Sequence, residues 1–180
     1  MIEINPALPH EQPILENLLE LYAHDFSEFL DLELGPDGRF GYKDLLLYWL
    51  EPDRRPFLIR VDGKLAGLAM VKRAPQISSN ETVWDMAEFF IIRGYRRRGI
   101  GMHAADQVWR LLRGLWQVRV MESNRSALEF WERAIAAFTG EIIPPNRIEK
   151  DGTHWRVFSF ESTHVSARQQ DPPASHGVPE

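Results

Sequence analysis

The chain contains no cysteine. Disulfides, thiolate nucleophiles and cysteine-ligated metals are therefore excluded. No apolar run approaches the ~20 residues of a membrane span, and no signal-peptide pattern opens the chain. Together these features predict a cytoplasmic protein without a membrane partner. An excess of positive charge is missing as well. The formal net charge is −5, which argues against general binding to nucleic acid. Histidines are present but none falls in a ligand spacing such as HExxH, so no metal site is expected. There is no GxSxG turn for a serine hydrolase and no GxxxxGK(S/T) string for a P-loop. No internal repeat is visible.

What is there suits one globular domain. The 180 residues, 44% of them apolar and 26% charged, can bury one core and are too few for two ordinary ones. Residues 1–5 alternate apolar and polar as a short strand, closed by Pro6 and Pro9. Pro13 sits in the first turn of a helix whose apolar positions, from Ile14 to Leu30, recur at helical spacing. A second helix is predicted over 43–50, ended by Pro52. Strands follow at 57–61 and 65–71 around the hairpin signal Asp62-Gly63. Residues 74–81 read as a polar loop. Then come a strand at 83–92, a helix from Gly99 to about Arg113, a strand at 116–121 and a helix over 126–137. Two last strands are expected at 140–143 and 154–160, and residues 162–180 form a polar, mobile tail. The order predicts an α/β fold: a mixed, mostly antiparallel sheet of about seven strands flanked by about four helices. Strands 83–92 and 116–121, joined through the helix after Gly99, are its parallel pair.

One stretch organises the rest. An apolar run, residues 86–92, leads into a basic loop with Arg93, Arg96, Arg97 and Arg98, then Gly99 and Gly101 at a helix start. Glycines there let a ligand approach bare backbone N–H groups, and the helix dipole favours an anion. Arginine forks suit phosphate. The bland alternative is a solvated basic turn. A dinucleotide fingerprint is formally present, since residues 99–104 fit GxGxxA and Glu122 lies near the usual acidic position. The context opposes it: six residues separate strand from glycine, and the preceding strands form a hairpin.

Arg96-Arg97-Arg98-Gly99-Ile100-Gly101 resembles the (Q/R)xxGx(G/A) signature of the GNAT superfamily of acyl-CoA-dependent N-acyltransferases. Phe89-Phe90-Ile91 is similar to the end of that family's fourth strand. Asn124, Ala127 and the pair Phe130-Trp131 resemble its next motif, and the element order agrees over residues 1–161, read as a single N-acyltransferase domain. The resemblance implies acetyl-CoA as acyl donor and a primary amine, small or on a protein, as acceptor. It implies that backbone at Ile91 and Ile92 pairs with the pantetheine arm, that N–H groups from Arg97 through Gly99, Ile100 and Gly101 to Met102 hold the diphosphate, and that Arg96, Arg97 and Arg98 contact phosphate. Asn124, Phe130 and Trp131 would line the opposite wall, although aromatic residues at helical spacing equally suit a core.

For catalysis, Glu88 is the expected general base, an ionisable residue inside an apolar run whose burial would raise its pKa. An edge carboxylate, or the partner of a core arginine, is the alternative, and Asp85 is the second candidate base. The Ile91 N–H is the expected oxyanion donor. Many relatives carry a tyrosine acid where this chain has Trp131, and an indole N–H is no proton source at neutral pH. Tyr95 or a water would then replace it, or the thiolate leaves unassisted; alternatively the chain is a non-catalytic acyl-CoA sensor. Residues 25–37 hold Asp25, Glu28, Asp31, Glu33 and Asp37 without Lys or Arg, either a solvated face or an acidic lip for a cationic amine. Acceptor specificity would lie in residues 22–50. Many relatives dimerise, so a homodimer is possible.

Overall fold

The computed structural model describes residues 1–77 and 81–163. Alternating apolar residues build seven strands: β1 (Ile2–Pro6), β2 (Arg54–Val61), β3 (Lys64–Pro75), β4 (Thr82–Ile91), β5 (Gly114–Met121), β6 (Asn146–Lys150) and β7 (Thr153–Ser162). They form one sheet in the order β1-β2-β3-β4-β5-β7-β6, antiparallel except for the β4–β5 pair. The helices are α1 (Gln12–Phe26), α2 (Leu47–Leu50), α3 (Ile100–Leu111) and α4 (Arg125–Thr139). Asp62 and Gly63 both take positive φ, 50° and 74°, as the two-residue turn between β2 and β3 requires.

Strand alternation sorts the core into two layers. Leu58, Leu68, Met70 and Phe90 face Leu15, Leu18 and Leu19 of α1 and Tyr48 of α2. Phe57, Ala69, Val71 and Met86 face the other way, onto Val108 and Trp109 of α3 and Trp131 and Ile135 of α4. β3 and β4 approach closely at Gly67, where a Cβ would stand 2.0 Å from the Phe90 carbonyl oxygen.

Three boundaries differ from expectation. α1 stops at Phe26, with Ser27 returning its hydroxyl to the His24 carbonyl, so Phe29 and Leu30 lie in a turn beyond it. α2 is a single turn, because Gly41 and Asp44 take positive φ just ahead of it. The strand expected at 140–143 is absent: Gly140 is the left-handed cap of α4, and Ile142 is 90% exposed. β6 begins only after Pro144 and Pro145 and pairs with β7 around Asp151-Gly152, a second positive-φ turn. The missed signal was that dipeptide, which marks a hairpin as Asp62-Gly63 does. The predicted tail lies, from residue 164 on, outside the described residues. No described helix is long and apolar enough to cross a membrane.

Candidate active site

β4 and β5 run together for only two residue pairs, Trp84 with Trp116 and Asp85 with Gln117. Just beyond, β4 bulges: Met70 faces Glu88 while Val71 faces Met86, leaving Ala87 extra. A bulge bends its strand and sharpens its twist, and here it turns β4 away from β5. The gap opens into a cleft of about 1150 Å³, lined by both strands, α1, the loop after it, the start of α3 and α4. That volume suits a long ligand with a second one beside it.

One edge of β4 faces this gap unpaired. The Ile92 N–H donates to the Ala66 carbonyl at 2.9 Å. In an antiparallel ladder the next residue back points its N–H the opposite way. Ile91 and Phe89 therefore aim theirs into the cleft, whereas Ile92 is spent on β3 and does not line it. Of the expected pair, Ile91 is available for a pantetheine amide or an oxyanion, and Ile92 is not.

α3 starts beside the paired glycines. Gly99 caps it with φ 77°, and Arg97 takes φ 60°, a conformation a non-glycine residue adopts at some cost. Among the described residues no hydrogen bond engages the backbone N–H groups from Arg97 to Met102; the first, from His103, goes to the Gly99 carbonyl. This is an anion cradle of bare N–H groups at the positive end of a helix, and it fits a diphosphate. The glycines serve it differently. A Cβ at Gly99 would meet no protein atom within 4 Å, so backbone conformation and an open approach are what glycine supplies. A Cβ at Gly101 would press to 3.1 Å on the Phe130 ring, so that glycine is also a packing residue. Ile100 is buried in the core beneath, and Met102 lines the cleft.

The arginines divide. Arg96 donates from Nε to the Ile91 carbonyl at 2.7 Å and pairs with Asp25, which Arg93 also grips at 2.6 Å. Arg96 is thus a brace between the end of β4 and α1. Arg96 also lines the cleft, and the Asp25 carboxylate beside it there is already paired. Burial pushes the Asp25 carboxyl up, but hydrogen bonds from both arginines outweigh it and leave it below its ordinary value. Arg97 lines the cleft, and Arg98 lies over the Tyr95 ring.

Glu88 sits where the strands part, half-buried, on the α1 side. The Tyr42 hydroxyl donates to its Oε1 at 3.0 Å, and the Tyr22 phenol stands nearby. Burial pushes the carboxyl up; the two phenol hydroxyls and the Arg119 charge pull it only part of the way back, so it stays above its ordinary value. Both phenols are raised in turn, by burial first and by Glu88 next, and keep their protons. Tyr42 is held there from behind: the Glu20 carboxylate accepts the N–H groups of Phe40 and Gly41 at 2.8 and 2.9 Å. Tyr22, Tyr42 and Glu20 carried no motif, and only the fold brings them to β4.

Asp85 is fully buried and bound by Arg119 through two hydrogen bonds, at 3.2 and 2.6 Å. Both its oxygens are taken by that pair, and Asp85 is not among the residues lining the cleft. Tyr95 packs with Ile91 and Ile100 and is not among the residues lining the cleft. Trp131 is 6% exposed and packs edge-on against Phe89 and Phe130, within 5.0 and 4.8 Å, so it is mainly core. Phe130 stacks on Phe89 and covers Gly101. Asn124 lines the cleft and caps α4, its Oδ1 accepting the Ala127 N–H at 3.0 Å. Among the described residues no group of acidic and histidine side chains could hold a metal ion.

Comparison with known proteins agrees with this arrangement. The Acetyltransferase (GNAT) family model matches residues 15–136. No curated protein matches the sequence. The fold is similar to that of an acetyltransferase from Thermus thermophilus, at TM-score 0.64 and 16% identity over 89% of this chain and 97% of the other. It is similar to the ribosomal-protein-S18-alanine N-acetyltransferase of Escherichia coli, at TM-score 0.60 and 15% identity over 93% and 98%. NAA60 of Arabidopsis thaliana in complex with acetyl-CoA aligns at TM-score 0.59 and 15% identity over 89% and 98%. With its sheet forked above a bare helix tip and the family's pattern running through most of its length, the chain belongs to the GNAT acetyltransferase family and is an acetyl-CoA-dependent N-acetyltransferase.

Proposed function

We propose that the protein moves an acetyl group from acetyl-CoA to a primary amine by direct attack, with Glu88 as general base. The observation that carries this reading is a carboxylate of raised pKa standing in the fork between β4 and β5. The N–H groups of residues 97–102 and the Arg97 guanidinium would hold the diphosphate, and the Phe89 and Ile91 edge would align the pantetheine arm. Acetyl-CoA supplies an activated thioester. An amine is mostly protonated near neutral pH and must lose that proton before it can attack. Glu88 takes the proton, while the Ile91 N–H meets the charge growing on the carbonyl oxygen. As the C–N bond forms and the C–S bond breaks, the sulfur departs as thiolate, the nitrogen gives up its second proton to solvent, and the thiolate takes a proton from solvent in turn. The Tyr42 hydrogen bond orients Glu88, and Tyr22 and Tyr42 stay protonated throughout.

The test is Glu88→Gln. General-base contributions are typically about 100- to 10,000-fold, so turnover should fall by about that much. Acetyl-CoA affinity by calorimetry should stay near the parent value, because Glu88 is no part of the diphosphate cradle. A variant with the parent's turnover and pH profile would assign the proton to another group.

A further inference from the structure

From the wall beside Glu88 we infer the acceptor's chemical class: a primary amine joined by a short linker to an aromatic or other bulky apolar body. This rests on the acetyltransfer reading above and narrows it.

Two observations on the cleft support it. The first is an aromatic row leading outward from the base. Tyr22, whose phenol stands close to Glu88, has its ring 5.0 Å from that of Phe26, which lies 6.1 Å from Phe29. All three line the cleft and none is fully buried. Residues one helical turn apart share a face, so Tyr22 and Phe26 form a continuous wall, and the turn after α1 carries it on to Phe29. Such a wall gains little from a slim or polyhydroxylated acceptor; a flat apolar body would cover it.

The second is charge. Near this end Arg93 and Arg96 share the Asp25 carboxylate, and Arg119 is paired with Asp85. Glu28 and Glu33, which also line the cleft, have no ion pair among the described residues. The acceptor end therefore favours a cation entering along an aromatic surface, where ring faces also attract ammonium.

Two sources offer this chemistry: a free arylalkylamine, or a peptide whose first residue is large and apolar. Initial rates can be followed by release of coenzyme A thiol, which a cysteine-free enzyme reports without background. The acceptors would be phenethylamine, tryptamine, n-butylamine, a Phe-Ala-Ala amide, spermidine and kanamycin. Covering a phenyl ring should raise kcat/KM for phenethylamine about 10-fold or more over n-butylamine. The faster of tryptamine and the peptide identifies the source. The ratio of phenethylamine to n-butylamine should fall severalfold in Phe29→Ala and less in Phe29→Leu, with circular dichroism confirming that both fold. Spermidine or kanamycin as the best acceptor, or an unchanged ratio in Phe29→Ala, would overturn the inference and leave amine acetylation standing. If no amine on the panel is acetylated while acetyl-CoA binds, the underlying reading fails as well.

Discussion

Removing the Tyr42 hydroxyl isolates one contribution to the base. In Tyr42→Phe the ring keeps its place while Glu88 loses the hydrogen bond donated at 3.0 Å. Hydrogen bonds to charged groups contribute about 1.5–3 kcal/mol. The cleft admits water, which recovers part of that, so the low end applies. The lost interaction favours the ionised carboxylate, so Glu88 in the variant holds its proton to higher pH. A change of about 1.4 kcal/mol is a tenfold change in the ionised fraction. On the acid side of the pH–rate curve kcat/KM should therefore fall about tenfold, and the limb should move to higher pH. On the plateau, where Glu88 is ionised in both proteins, the rates should converge. The assay is thiol release over a pH series at low amine concentration, corrected for the free-base fraction of the amine. Glu20→Gln, which loosens the Phe40–Gly41 anchor behind Tyr42, should move the limb the same way by less. An unmoved limb, or a loss of equal size at every pH, would refute the argument that Tyr42 acts through the ionisation of Glu88.

Gly99→Val forces a β-branched residue to φ 77° and places its side chain in the open approach to the N–H cradle; calorimetry should show acetyl-CoA affinity reduced at least ~10-fold, since several charge-assisted hydrogen bonds are disturbed at once. Arg119→Met strands the fully buried Asp85, which should cost about 3–5 kcal/mol in urea unfolding, and adding Asp85→Asn should recover part of the loss. Glu88→Gln should stabilise the fold increasingly as pH rises. The folded-state pKa of Glu88 lies above its ordinary 4.5, so below 4.5 the carboxyl is protonated folded or unfolded and carries no penalty. As pH climbs from there through the folded-state value, the parent loses stability that the neutral amide does not lose. Melting temperatures at pH 4 and pH 8 should therefore diverge in the variant's favour, and a constant difference would contradict the burial of that charge.

The local signals were strong where chemistry is encoded by neighbours in the chain. Gly99 and Gly101 after a basic loop announced a helix tip open to anions, and α3 starts there. Asp62-Gly63 announced the hairpin, and the parallel pair followed from the helix between its strands. Signals failed where neighbours disagree with the fold. The apolar spacing from Ile14 to Leu30 continues past Phe26 although the helix does not, because Phe29 and Leu30 find their contacts from a turn. The apolar residues Ile142 and Ile143 suggested a strand that the Gly140 cap and two prolines forbid.

By itself, then, the sequence determined the element order, the parallel pair and a helix tip open to anions, since each is marked by short stretches of neighbouring residues. Only the tertiary structure decided what every charge near the tip is for. Arg96 reaches Asp25, 71 residues away, Arg119 reaches Asp85, and Tyr42 reaches Glu88 across 46 residues. A charged side chain takes whichever partner the fold brings within hydrogen-bonding distance. That choice is made in space, after the sheet and helices have packed, and leaves no spacing in the chain to read.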